Sequence, residues 1–163
     1  MAGLFFEEFE PGTVIEHQTR RTVSEMDNVL FSALTLNLAP LHLDAEYSKD
    51  SIYGQRLVNS LFTLGLVGGI SMQELTQGTT LGNLGFSEVK FPKPLFHGDT
   101  VHISTEILDK RESNSRDDSG IVFFRHIARN QRDEIVCQCD RAGLMLKRDA
   151  RPVAGSAVAA AAN

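Results

Sequence analysis

The residues best suited to chemistry stand on one short stretch, Leu34-Thr35-Leu36-Asn37-Leu38-Ala39-Pro40-Leu41-His42-Leu43-Asp44. An imidazole titrates near neutral pH and can take or give a proton there, and His42 follows directly on a turn stiffened by Pro40. Asn37 precedes it on the same turn. Its amide cannot titrate, but its carbonyl can accept from a water and its NH2 can donate to a bound group. Asp44 has two readings, a cap for the next helical turn and a carboxylate partner for the imidazole.

A second group stands at the head of the apolar stretch Leu57 to Met72. Asn59 and Ser60 occupy what would be the first turn of a helix, where backbone N–H groups lack partners and the positive end of the helix dipole lies. A carbonyl placed there would be polarised; alternatively, Asn59 and Ser60 satisfy the helix end themselves. The first helical carboxylate, Glu74, lies far along the axis, which speaks against a helix-borne acid or nucleophile.

These groups need elements to hold them. Thr13 to Val23 reads as a strand, and Ser24 with Asp27 makes a capping box for a helix running to Leu34. The stretch from Leu57 is apolar on nearly every face, which predicts a buried helix of about 18–20 residues. Its glycines at 65, 68 and 69 cost about 1 kcal/mol each against alanine, so close contact with a sheet or another backbone is expected there. The period then changes to strands over Leu81 to Phe91, Thr100 to Lys110, Gly120 to Asn130 and Glu134 to Lys147. Strand, helices and a run of antiparallel strands define an α+β layout, simplest as a sheet around one buried helix.

The chain has 163 residues, enough for one domain with a real core. That domain is expected over residues 1–148, with a disordered Ala-rich tail over 149–163. Apolar residues at 42% and charged residues at 23% fit a globular protein. No apolar run could span a bilayer and the first residues lack a signal peptide's basic start, so the expected location is cytoplasmic, with no membrane partner. A net charge of −5 with scattered Lys and Arg argues against nucleic acid. Cys137 and Cys139 point to one face of a strand and read as reduced core thiols; nothing near them suggests a metal site.

The chain resembles the MaoC-like (R)-specific enoyl-CoA hydratases, which have the hotdog fold. The resemblance covers most of residues 10 to 148 and rests on Pro40-Leu41-His42-Leu43-Asp44, on the start of the central helix, and on Lys90-Phe91-Pro92-Lys93-Pro94-Leu95-Phe96-His97-Gly98-Asp99-Thr100. The family's motif reads Asp-x-Asn-Pro-Leu-His-x-Asp. Here Asn37 replaces its first Asp and Ala39 its Asn, and Asn59-Ser60 stand where the family often has His-Gly. Both departures resemble the branch that hydrates mesaconyl-CoA and itaconyl-CoA.

The resemblance implies a hydro-lyase that adds water to a short branched enoyl-CoA, itaconyl-CoA giving citramalyl-CoA being the favoured substrate. His42 would handle the proton and Asn37 would orient the water or acyl group. Asn59 and Ser60 would hold the thioester, with Asp44 beside the histidine and Arg56 the best-placed cation for a free carboxylate. Neither metal nor redox cofactor is implied, because coenzyme A belongs to the substrate. A homodimer or dimer of dimers is implied as well. The alternatives are a general (R)-specific hydratase and an acyl-CoA-binding subunit with little activity alone.

Overall fold

The computed structural model describes residues 3–150. Of the expected tail, only Asp149 and Ala150 lie inside that range. The chain begins with a 3-10 turn, Phe6–Glu8, followed by two short strands, β1 (Val14–Glu16) and β2 (Arg21–Thr22). The single strand expected over Thr13 to Val23 is therefore broken. The physical reason is Glu74, whose carboxylate accepts the N–H of Gln18 at 2.8 Å and of Thr19 at 2.7 Å, groups that a continuous ladder would need.

Helix α1 (Glu25–Leu34) starts with the expected capping box. Ser24 Oγ accepts from Asp27 N–H at 3.2 Å, and Asp27 Oδ2 accepts from Ser24 N–H at 2.8 Å. Two single turns follow, α2 (Pro40–Leu43) and α3 (Ala45–Lys49). The central helix α4 (Ser60–Ser71) has 12 residues and continues as a π-helical turn of 5, Met72–Thr76. It is slightly shorter than expected because Gly78, at φ 77°, turns the chain out of the helix. The close contact expected at its glycines is not found among the described residues: a Cβ at Gly65, Gly68 or Gly69 would meet none of their atoms outside the helix's own backbone within 4 Å.

The four long strands fall where the change of period puts them: β3 (Thr80–Lys90), β4 (Thr100–Glu112), β5 (Ser119–Arg129) and β6 (Ile135–Leu146). All pair antiparallel in the order β1-β4-β5-β6-β3, with β2 beside β1 on β4. The inner face of this sheet carries α4. One core cluster, with Val23, Val67, Ile103 and Val136, lies toward the start of the helix; a second, with Phe6, Phe9, Leu75 and Phe124, lies beyond its end. A polar row separates them on the inner face, where Thr105 Oγ1 lies 2.8 Å from both His17 Nε2 and His126 Nδ1. Cys137 and Cys139 are free and buried on that face, as their spacing predicts. Strand β3 is a free edge, exposed from Asn83 to Lys90.

Candidate active site

Pro40 opens α2 at a position where its missing N–H costs nothing, and the turn places His42 inward at 9% exposure. Its Nδ1 lies 2.8 Å from the carbonyl oxygen of Leu57. A carbonyl can only accept, so Nδ1 carries a proton, and in the neutral imidazole the lone pair is on Nε2.

The group that holds this arrangement together is Asn28 on α1, which is fully buried. Its Nδ2, with two N–H donors, lies 3.1 Å from both His42 O and Leu57 O and 3.0 Å from His97 Nε2. Its Oδ1 accepts from the N–H of Asn59 at 2.8 Å. One amide therefore ties α1, the His42 turn and the head of α4. The sequence reading took Asn28 only as a helical residue, yet a signal was present: Asn28 and Ser32 are the buried positions of α1, while Met26, Leu30 and Leu34 face outward. A polar stripe on the inner face of an otherwise apolar helix marks a hydrogen-bonding role.

At α4 both expectations for the helix head are met in part. Asn59 acts as cap: its Oδ1 accepts from Leu61 N–H at 3.1 Å, and its carbonyl accepts from Phe62 and Thr63 N–H at 3.0 and 3.2 Å. The Ser60 N–H has no acceptor among the described residues. It opens beside a cavity of about 250 Å³ lined by Ser60, Thr63, Tyr53, Leu57, Lys93 and Val136, among others. A small apolar pocket with one free helix-head donor and a lysine at its rim can take a short polar chain by its carbonyl end.

The other expected residues make no hydrogen bond to the His42 side chain among the described residues. Asn37 is exposed; its backbone N–H donates to Ser32 O at 2.9 Å, and its side chain is not hydrogen-bonded to His42. Asp44 is a cap, with Oδ1 accepting from Glu46 and Tyr47 N–H at 2.9 and 3.0 Å. Arg56 is held by Glu25 at 2.6 Å. It faces a second hollow shared with Lys49 and His97. Burial, with Arg56 adding to it and Glu25 opposing, holds His97 below the usual imidazole range. Among the described residues no cluster of His, Cys, Asp or Glu has the make-up of a metal site.

The antiparallel sheet and the helix packed on its inner face define a hotdog fold. The chain belongs to the MaoC like domain family, whose model matches residues 7–127. It is 32% identical to a mesaconyl-CoA hydratase of Cereibacter sphaeroides, over 91% of this chain and 43% of that protein. It is 27% identical to a β-methylmalyl-CoA dehydratase of Chloroflexus aurantiacus, over 90% of this chain and 41% of that protein. The chain thus spans less than half the length of these relatives. Its fold matches a double-hotdog protein of Mycobacterium tuberculosis with a TM-score of 0.80 at 20% identity, over 99% of this chain and 53% of that one.

Proposed function

We propose that the chain is a hydro-lyase that adds water reversibly across the double bond of a short branched enoyl-CoA carrying a free carboxylate. Itaconyl-CoA, giving citramalyl-CoA, and mesaconyl-CoA are the two candidate substrates. The observation that carries the proposal is the tautomer of His42, a base joined through Leu57 and Asn28 to the open helix head at Ser60. In hydration, His42 Nε2 takes a proton from water as the water oxygen bonds the β-carbon. The Ser60 N–H stabilises the enolate-like oxygen that develops, and the imidazolium then gives its proton to the α-carbon. Asn37 orients the water or acyl group, in the place where the family motif has a carboxylate. The likeness to hydratases of mesaconyl- and β-methylmalyl-CoA supports a substrate of this size and branching. This chemistry uses no metal or redox cofactor, and coenzyme A is the substrate's handle.

The working unit in this proposal is a homodimer or a dimer of dimers. Three features support it: the outward apolar side of α1, an exposed stripe on α4 of Leu61, Gly65, Gly69 and Met72, and the edge of β3, which no strand among the described residues pairs. A second copy would supply the close contact that the glycines lack within one chain. The buried, reduced pair Cys137 and Cys139 fits a cytoplasmic setting.

The test is to follow hydration of crotonyl-, mesaconyl- and itaconyl-CoA by the purified chain. Turnover of a branched dicarboxyl thioester is expected, falling about 10³-fold in His42→Ala. Turnover that survives His42→Ala would refute the mechanism, and a preference for crotonyl-CoA would favour a general (R)-specific hydratase. The short span relative to the curated relatives favours one further reading, an acyl-thioester-binding subunit; binding without turnover of any of the three would establish it.

A further inference from the structure

The inner face of β6 carries a charge that no described residue answers. Arg141 lies there at 6% exposure, and its Nε and Nη2 are enclosed without a hydrogen-bond partner among the described residues. The carboxylate next in sequence, Asp140, is on the other face and committed to Arg125 through bonds of 2.8 and 2.9 Å. The guanidinium rests on the Phe124 ring at 4.9 Å. Gly143, next on the inner face, leaves it room, since a Cβ there would stand 3.2 Å from that ring and 4.0 Å from Nη2. The nearby His126 stacks on Phe124 and has an unpartnered Nε2; burial, then the charge of Arg141, push it down to about 3, so at neutral pH it adds no charge. Across Thr105, His17 pairs with Glu74, whose carboxylate is taken up by the Gln18 and Thr19 N–H groups.

A guanidinium keeps its proton inside a protein, and a ring face is weak compensation for lost water and lost counter-charge. Arg141 also lines a groove of about 310 Å³ with Phe86, Phe123, Phe124 and Ala142, beside the register shift that interrupts the β3–β6 ladder at Gly85. Asp140 also lines it, already neutralised by Arg125. We propose that Arg141 is the centre of a buried site for a small monoanion, a carboxylate or halide held by the guanidinium. The ligand is a free anion in solution, because an acyl group held at Ser60 lies at the other end of α4 from Phe124 and Arg141.

The site is tested without activity. Thermal unfolding of the full chain is measured at constant pH and ionic strength while chloride or acetate replaces gluconate, which is too bulky to enter. A rise in Tm of about 4 °C by 0.2 M is expected, kept in Arg141→Lys and lost in Arg141→Met. A flat salt series in the wild type, or a rise that Arg141→Met keeps in full, overturns the proposal.

Discussion

At the scale of single residues, the site depends on one amide as much as on its base. Asn28 uses both halves of its side chain, its Oδ1 accepting from Asn59 N–H while its NH2 lies against His42 O, Leu57 O and His97 Nε2. Truncation to alanine would take a partner from the His42 carbonyl and from a helix-head N–H, while Leu57 O keeps the His42 Nδ1 bond. Asn28→Ala is therefore expected to lose about 2–4 kcal/mol of stability in denaturant titrations and to lower kcat more than it raises KM. Asn28→Asp keeps the acceptor for Asn59 and removes the donors. It should recover part of the stability and little of the activity, which separates holding the helix from aligning the base. None of this could be read from the types of the two residues alone. The His42 motif was legible; the carbonyl that selects its tautomer was not, because Leu57 says nothing about where its backbone oxygen points.

At the scale of elements, α4 and β3 present the features that a lone chain leaves unused. Glycine inside a helix is unfavourable, and Gly69 is exposed, with no atom of the described residues outside the helix's own backbone within 4 Å of where a Cβ would stand. If the chain acted alone, Gly69→Leu would stabilise it by about 1 kcal/mol. With a second copy packed on α4, the same change is expected to halve the mass seen by sedimentation and to lower activity. The sequence announced these elements well: the capping box at Ser24 and the four strands fall where their residues predict. It misjudged the strand over Thr13 to Val23, because the competitor for its N–H groups, Glu74, arrives from the far end of the buried helix.

At the scale of the whole molecule, two apolar clusters are joined across a polar row, and that row sets the response to acid. His126 is buried and neutral, its imidazole pushed down to about 3 by burial and then by Arg141. In the unfolded chain the same group binds a proton near pH 6.5. Between these values the unfolded form holds the extra proton, so stability is full above about pH 6.5 and falls as pH drops below it. A loss of roughly 2 kcal/mol between pH 7 and pH 5 is expected from this group, with His17 shifted in the same direction by burial. Urea unfolding at the two pH values checks it; His126→Gln should flatten the difference, and a wild type equally stable at both would refute the assignment.

What the sequence determined by itself was local or periodic: strand alternation, helix caps, the turn that presents His42, and the motif that marks the family. The tertiary structure alone decided which groups are partnered. It committed Arg56 to Glu25, made Asp44 a cap, left Ser60 N–H open and enclosed Arg141 without a counter-charge. The physical reason is that a hydrogen bond or ion pair is made by atoms from distant parts of the chain, and only packing the sheet around α4 brings them within reach of one another.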